Sequence, residues 1–283
     1  MTELEQLIGS PSRGDETFPT VGDDALLLWA EEHGRSPAEA VKEALLSGIV
    51  PSRYAKNLTA LTLEEQRLIC DSTVLVCGCG GLGGIMVQLL ARAGVGRLRL
   101  VDGDVFAESN LNRQLLSDRS VLAQSKVRVA EHTVGMINPF VVVEAVEETL
   151  DHTNADQLIQ GTDLVLDALD NIEGRRLLGA TARRLGVPFI HGAVAGWWGQ
   201  VSTFLPDSGH DLSNIYGSMR SRDAAEQDLG VLGPTAAIIG GLQTLEAVRL
   251  LCGRPPAYSG RLLYLDGENG RMGAMPLEDG CPV

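Results

Sequence analysis

Positive charge is scarce in this chain. Its 283 residues include 23 lysines and arginines against 37 aspartates and glutamates, which gives a formal net charge of −14. A nucleic-acid-binding surface needs a basic patch to meet the phosphates, and this balance argues against one. We therefore expect no nucleic-acid partner. Against this acidic background, a local cluster of lysine and arginine indicates a site for an anion more clearly.

Long apolar runs and a regular set of cysteines are also lacking. The longest apolar stretch, residues 235–251, is interrupted by Gln243, Glu246 and Arg249, so we expect no membrane span. The N-terminus has neither a basic region nor an apolar run, which argues against a secretory signal. The five cysteines show no regular spacing, as in proteins of a reducing compartment. These absences together predict a cytoplasmic protein.

What is present is an alternation of strand and helix patterns. Residues 1–52 are acidic and indicate a small helical N-terminal module with a capped helix start at Ser36. Residues 53–283 predict an α/β domain with a Rossmann-like, mostly parallel sheet and helices on both faces. One helix is expected over residues 119–137, and a polar crossover loop over about 206–230. The strands are expected at residues 73–77, 98–101, 141–146, 164–167, 188–191 and 200–205.

A glycine-rich turn joins the first predicted strand to the next helix. Its glycines, which satisfy G-x-G-x-x-G in a strand–turn–helix context, are Gly78, Gly80, Gly81 and Gly83. Such a turn lets the backbone approach a phosphate, which the helix N-terminus favours. Asp102 ends the following strand, where a carboxylate binds ribose hydroxyls. The pattern predicts a nucleotide, NAD or ATP; the alternative is a turn needed only for packing.

The residues around and after Asp102 favour ATP over NAD. The cluster at this strand end consists of Asp102, Asp104, Asn110, Arg113 and Gln114, followed by Lys126 early in the next helix. A dinucleotide needs little beyond the glycine turn. A triphosphate attacked by a carboxylate needs several cations and donors, because both reactants are anionic. Taken singly, Arg113 or Lys126 would be a solvated surface charge.

At these residues the sequence resembles the MoeB/ThiF/HesA family, relatives of the ubiquitin-activating enzymes. The glycine turn, the segments around Asp102 and Arg113, Lys126, and the motifs at residues 167–171 and 192–193 carry the resemblance over about half the chain. The resemblance implies an ATP-dependent adenylyltransferase that acts on a small β-grasp sulfur-carrier protein ending in Gly-Gly. Pyrophosphate would leave, and the product would be an acyl-adenylate.

The resemblance also implies roles for individual residues. Asp102 would bind the ribose, and the triphosphate would be held by Asn110, Arg113, Gln114 and Lys126, with Asp104 beside them in the nucleotide site. Asp170 would bind Mg²⁺, since one or two carboxylates and phosphate oxygens suffice for this cation. A role for Asp170 as a helix N-cap is the alternative.

Catalysis would then consist of positioning and charge stabilisation by Arg113, Lys126 and Asp170. No general base is required, because a carboxylate is already ionised at neutral pH. His191 and His210 are accordingly interpreted as structural or loop residues.

The sequence departs from the family at several points. Lys56 stands where many relatives carry an arginine that reaches the neighbouring subunit's site, so Lys56 or Arg53 is expected to serve there in a homodimer. The two C-x-x-C pairs of zinc-binding relatives are missing and Cys281 alone cannot complete a site, so we predict no zinc. No cysteine lies between Cys79 and Cys252, which leaves sulfur transfer to a separate donor.

Two other functions stay open at this point. A catalytically idle scaffold would explain Lys56 and the missing zinc pairs, and an NAD-dependent oxidoreductase would explain the glycine turn. Trp197 and Trp198 either line the path of the carrier's tail or belong to a core or interface. The identity of the carrier, and whether it serves molybdopterin, thiamine or another product, is not encoded in these patterns.

Overall fold

A computed structural model of the chain describes residues 18–218 and 229–277. The helices in these ranges are α1 Asp23–Glu32, α2 Pro37–Leu46, α3 Leu63–Asp71, α4 Gly81–Ala93, α5 Lys126–Ile137, α6 Ala155–Ile159, α7 Ile172–Arg184, α8 Ser213–Tyr216 and α9 Gly233–Leu251. The strands are β1 Thr20–Val21, β2 Val50–Pro51, β3 Thr73–Cys77, β4 Arg97–Val101, β5 Val142–Val146, β6 Leu164–Asp167, β7 Phe189–Ala195, β8 Trp198–Phe204, β9 Arg261–Asp266 and β10 Arg271–Pro276.

The segment from β1 to β2 forms a small helical module before the main sheet. Helix α2 begins at a capping box, in which the Ser36 side chain accepts the Glu39 amide and the Glu39 carboxylate accepts the Ser36 amide at 2.8 Å. Strands β1 and β2 pair in parallel. The apolar side chains of the module form one core with Tyr54 and Phe140 of the following domain. The module is therefore packed onto that domain and shares buried surface with it.

One eight-stranded sheet forms the centre of the described domain, in the order β10-β9-β8-β7-β6-β3-β4-β5. Strands β7, β6, β3, β4 and β5 run parallel, and β8, β9 and β10 extend the sheet in antiparallel pairing. The mostly parallel, Rossmann-like sheet predicted from the sequence is confirmed. Strands β9 and β10 lie outside the predicted set. Strand β10 is exposed along almost its whole length, so its sequence carries little apolar–polar alternation.

Alternate residues of the central strands face opposite layers of helices. In β3, Val74 and Val76 belong to the core shared with α4, α5 and α9, whereas Leu75 and Cys77 belong to the core shared with α6 and α7. Helix α9 packs against α4. Helices therefore cover both faces, as predicted. In the described parts of the chain, every helix is too short or too polar to cross a membrane.

The helix predicted over residues 119–137 starts later in the structure. Helix α5 begins at Lys126, because the preceding residues are held in a turn against Phe106. The Phe106 amide donates to the Gln124 carbonyl at 2.9 Å, and the Ala123 amide donates to the Phe106 carbonyl at 2.8 Å. Ala123 also has a φ of 64°, which a helix does not allow. The prediction was wrong at this end, and the turn places Lys126 in the first helical turn.

Candidate active site

The parallel strands end at a cleft beside the point where the strand order reverses. Strand β3 lies between β4 and β6, and open α/β sheets bind ligands at such a point. The cleft has a volume of about 730 Å³. The predicted site residues that line it are Gly78, Gly80, Gly81, Asp102, Asp104, Arg113, Gln114, Lys126 and Asp170. Three other predicted residues, Gly83, Asn110 and Lys56, are not among its described lining residues.

Close backbone packing requires glycine at two positions of the glycine-rich turn. Gly78 has a φ of 101°, and a Cβ there would lie 2.6 Å from the Ala168 carbonyl oxygen. A Cβ at Gly83 would lie 1.8 Å from the carbonyl oxygen of Gly78. Gly83 therefore lets the helix approach the strand and lies outside the cleft lining. Gly80 is the N-cap of α4 and lines the cleft, so the helix N-terminus offers amide groups to an anion there.

Asp102 is held by two backbone amides directly after β4. Its Oδ2 accepts the Cys79 amide at 2.7 Å, and its Oδ1 accepts the Asp104 amide at 2.8 Å. The first bond ties the glycine-rich turn to β4. A carboxylate has about four lone-pair positions. Asp102 can therefore accept ribose hydroxyls as well.

Lys126 is buried at the cleft although its position opposes the helix dipole. It is the first residue of α5, where a cation is disfavoured, and it is 7% exposed. Its Nζ lies 2.9 Å from Asp104 Oδ2, and its amide donates to the Asp104 carbonyl at 3.0 Å. A buried lysine needs a partner. Asp104 supplies that partner and holds the ammonium group at the cleft.

The turn after β4 brings Arg113 and Gln114 to the same cleft. Arg113 Nη1 donates to the Ser109 carbonyl and to Asn112 Oδ1, both at 2.9 Å. Gln114 is 6% exposed and lies against Gly80, and its Oε1 has no hydrogen-bond partner within the described ranges. A buried unpaired oxygen costs free energy. This oxygen therefore fits a site in which a ligand supplies the donor.

Asn110 does not join these residues. Its Oδ1 accepts the Ala107 amide at 2.9 Å and so caps the short turn in which it lies. Asn112 lines the cleft in its place, and Asn112 Nδ2 donates to the Val231 carbonyl at 3.2 Å. The motif was recognisable in the sequence, but which of its two asparagines faces the cleft depends on the turn.

Two roles were considered for Asp170, metal binding and helix N-capping, and the neighbouring Asn171 takes the second. Asn171 is the N-cap of α7, and its Oδ1 accepts the Gly174 amide at 2.8 Å. Asp170 is exposed at the cleft, with its Oδ1 3.4 Å from Asn171 Nδ2. The described residues hold no group of three or more His, Cys, Asp or Glu that could bind a metal. A magnesium ion held by one carboxylate, phosphates and water needs no such group, so Asp170 fits that donor set.

Arg53 and Lys56 lie outside the cleft lining. Arg53 Nε donates to Asp23 Oδ1 at 2.9 Å, and Nη1 donates to the Ile137 carbonyl at 2.8 Å. Its guanidinium also lies 5.3 Å from the centre of the Phe140 ring. Arg53 is thus committed to the contact between the N-terminal module and α5. Lys56 is exposed, and of the two it is the cation available to another molecule.

Sequence reasoning missed a buried polar cluster beside Asp170. Asp167 is fully buried, and its Oδ2 lies 2.6 Å from Nδ1 of His191, which is also fully buried. Arg175 and Tyr216 complete the cluster, and Arg175 reaches the cleft. His191 is therefore an interior residue with a polar partner. The signal was available, because Asp167 and His191 follow residues paired in adjacent parallel strands.

The thiols near the cleft are poor nucleophiles. Burial raises the pKa of Cys79 well above its ordinary value, and the neighbouring Asp102 carboxylate adds to the effect. Burial likewise raises the pKa of Cys77. Both thiols therefore stay protonated near neutral pH. Cys281 and residues 219–228 of the predicted crossover loop lie outside the described residues.

Comparison with known protein families supplies the identity that this geometry suggests. The model of the ThiF family matches residues 54–283. The chain belongs to the ThiF family. The resemblance inferred from the sequence motifs is thereby confirmed.

Curated relatives of this ThiF-family chain are named as an activating enzyme and as adenylyltransferases. It is 36% identical to the SAMP-activating enzyme E1 of Haloferax volcanii, covering 82% of this chain and 87% of that protein. It is 34% identical to the molybdopterin-synthase adenylyltransferase of Escherichia coli, covering 82% and 95%. The adenylyltransferase and sulfurtransferase MOCS3 of Xenopus laevis is 35% identical over 77% of this chain, which spans about half (49%) of that longer protein.

Solved structures share the fold at lower identity. The structure of E. coli MccB with ATP matches with a TM-score of 0.69 and 16% identity, covering 80% of this chain and 71% of that one. The structure of PaaA matches with a TM-score of 0.67 and 24% identity, covering 80% and 72%. These two proteins support the α/β architecture described above.

Proposed function

We propose that this chain uses ATP to adenylate the C-terminal carboxylate of a small ubiquitin-like sulfur-carrier protein. One observation carries the proposal: a single cleft gathers the glycine-rich turn, the Asp102 carboxylate, the cations Arg113 and Lys126, and Asp170. Adenylyltransferases and an activating enzyme among the relatives support the same reaction class.

The proposed reaction needs charge stabilisation more than proton transfer. A carboxylate oxygen of the carrier forms a bond to the α-phosphorus of ATP, and the bond from that phosphorus to the bridging oxygen breaks. Pyrophosphate leaves with the electron pair, and no proton has to be removed from the ionised nucleophile. Arg113 and Lys126 offset the charge on the phosphates, while Asp102 holds the ribose.

Asp170 is the residue proposed to hold Mg²⁺ together with phosphate oxygens and water. Bound there, the cation would neutralise phosphate charge and polarise the phosphorus–oxygen bonds. In this proposal Asp170 is the one protein carboxylate on the ion, and the phosphates supply the other charged ligands.

The proposed carrier has a Gly-Gly end that passes beside the loop between β7 and β8. Trp197 is 51% exposed in that loop and Trp198 is half-buried, close in sequence to the cleft residue Val194. An exposed indole offers a flat apolar surface to a passing peptide. A separate sulfur donor is proposed, because the thiols near the cleft are buried and protonated.

A homodimer is proposed in which Lys56 of one protomer serves the cleft of the other. Lys56 is exposed, and exposed Ile238 and Leu245 on α9 supply apolar surface for association. Mixing refolded Lys56→Ala and Asp170→Asn chains tests this. We expect activity that neither variant has alone, since a mixed dimer pairs an intact Asp170 with an intact Lys56. A mixture as inactive as its components would refute the exchange.

Carrier-dependent exchange of pyrophosphate into ATP tests the adenylation itself. The probes are purified ubiquitin-like proteins of the source organism that end in Gly-Gly, each with a matched version lacking the last glycine. Exchange with the intact carrier and none with the shortened one is expected. Reduction of NAD without exchange would support an oxidoreductase, and neither activity would support an idle scaffold.

A further inference from the structure

Four buried side chains from neighbouring elements form a closed ring of polar contacts beside the loop that carries Asp170. His191 Nδ1 lies 2.6 Å from Asp167 Oδ2, and His191 Nε2 lies 3.1 Å from the Tyr216 hydroxyl. Arg175 Nη1 donates to that hydroxyl at 3.0 Å, and Arg175 Nε lies 3.7 Å from Asp167 Oδ2. Each of the four is at most 7% exposed. The adenylation chemistry proposed above assigns no role to this ring.

Two residues of the ring form hydrogen bonds with the backbone of Leu169, immediately before Asp170. Asp167 Oδ1 accepts the Leu169 amide at 3.0 Å. Arg175 donates to the Leu169 carbonyl from Nε at 3.1 Å and from Nη2 at 2.7 Å. Both polar backbone groups of Leu169 are therefore held by ring members, while Asn171 caps α7 on the other side of Asp170. The position of Asp170 follows from these two anchors.

Gln200 of β8 contacts the ring at two points. Its Nε2 lies 3.1 Å from the Tyr216 hydroxyl, which also accepts from Arg175 Nη1, and 3.3 Å from His191 Nε2. On the other side of the imidazole, His191 Nδ1 lies within hydrogen-bond distance of the Asp167 carboxylate. The histidine therefore holds the Asp167 side chain in place from behind.

We infer that His191 and Tyr216 are positioning residues that set the Asp170 carboxylate for metal binding. The inference rests on the proposed function, which gives Asp170 its magnesium ion. His191 acts through Asp167 on the Leu169 amide, and Tyr216 acts through Arg175 on the Leu169 carbonyl. Substituting a residue that orients a metal ligand typically lowers metal affinity or activity by about 10- to 100-fold. The competing explanation is a ring that only stabilises the fold.

Metal binding to the full-length protein separates the two explanations. Mn²⁺ is titrated in the presence of the ATP analogue AMPCPP and followed by electron paramagnetic resonance, for wild type, Tyr216→Phe, His191→Leu and His191→Asn. We expect the Mn²⁺ dissociation constant to rise by about 10-fold or more for Tyr216→Phe and His191→Leu. His191→Asn should recover part of the affinity, because its amide keeps a donor towards Asp167.

Thr203→Val is the matched control. Thr203 Oγ1 donates to Glu246 Oε1 at 2.8 Å, and both side chains are buried in a polar pair between β8 and α9. Its loss should lower thermal stability and leave Mn²⁺ affinity unchanged. In the exchange assay, the ring variants should need about 10-fold more Mg²⁺ for half-maximal rate while the KM for the carrier stays constant.

The outcomes are distinct. Ring variants that lose thermal stability but bind Mn²⁺ as the wild type does would show that the ring only stabilises the fold. A wild type that binds Mn²⁺ with AMPCPP yet shows no carrier-dependent exchange would remove the proposed function, and the Mn²⁺ titrations would still decide the role of the ring. A wild type without Mn²⁺ binding in the presence of AMPCPP would remove both.

Discussion

Lys126 Nζ lies 2.9 Å from Asp104 Oδ2, and this pair joins a lysine side chain that is 9% exposed to an aspartate side chain that is 73% exposed. The buried cation is fixed, whereas the exposed carboxylate competes with any phosphate for it. Asp104→Asn should therefore strengthen binding of AMPCPP, by up to about fivefold, because such half-exposed pairs contribute up to ~1 kcal/mol. Calorimetric titration measures this, and weaker binding would show that Asp104 favours nucleotide binding, by holding Lys126 at the cleft or by contacting the nucleotide.

Lys126→Met should abolish measurable carrier-dependent exchange of pyrophosphate into ATP. Removing a cation that stabilises phosphate charge typically lowers the rate by about 100- to 1000-fold. Lys42→Met is a suitable control, because Lys42 forms an exposed ion pair with Asp71 at 2.8 Å and belongs to the N-terminal module. Equal losses in both variants would point to general charge effects.

Arg113→Ala and Asp170→Asn should each stop exchange without unfolding the protein. Arg113 bonds to Ser109 and Asn112 in one surface turn, so its removal leaves the buried cores intact. We expect a rate loss of about 100-fold or more with an unchanged melting temperature. Arg128→Ala, which removes an exposed arginine of α5, serves as the control. Full activity in both site variants would remove these role assignments.

Gly83→Ala should destabilise the domain far more than Gly81→Ala. The added Cβ at Gly83 would lie 1.8 Å from a carbonyl oxygen, whereas at Gly81 its nearest contact is the Ala236 Cβ at 3.5 Å. Overpacking costs about 1–3 kcal/mol and occasionally more, whereas an ordinary van der Waals contact costs little. Urea denaturation of both variants gives the comparison. Similar midpoints would mean that the turn can shift to accept a side chain.

The carrier should accumulate as an adenylate and form no thioester with Cys77 or Cys79. Burial holds the pKa of both thiols above its ordinary value, so little thiolate is present near pH 7. Iodoacetamide should label neither cysteine in the native protein and both after denaturation. A carrier adduct that a reductant or thiol releases from either cysteine would contradict this.

The strands and the glycine-rich turn could be predicted from the sequence because their signals are local. Strands β3 and β6 were predicted with their observed bounds, since each is a short apolar run ended by glycine or aspartate. The start of α5 could not be predicted, because contacts of Phe106 with residues 123 and 124 override the local helical pattern. Strand β10 is missing from the prediction because its hairpin with β9 depends on backbone bonding with little side-chain burial, which leaves no apolar–polar pattern in the sequence.

For the site, residue types were predictable and side-chain directions were not. Arg113, Lys126 and Asp170 line one cleft, as their motif required. Asn110 is not among the described lining residues, and its Oδ1 caps its own turn, which only the fold of residues 107–114 decides. The roles of the predicted residues in binding and catalysis remain predictions for the experiments above.

Helix α5 contacts the N-terminal module at its C-terminal end and the cleft at its N-terminal end. Arg53 donates to the carbonyl of Ile137 at one end, and Lys126 lies at the other end, 11 residues or about 16 Å away. Because an α-helix bends little over three turns, a tilt of about 5° at the far end displaces the ammonium group by ~1.5 Å. We therefore expect a substitution that changes the packing of the module on Phe140 and Ile137 to shift Lys126 at the other end of α5.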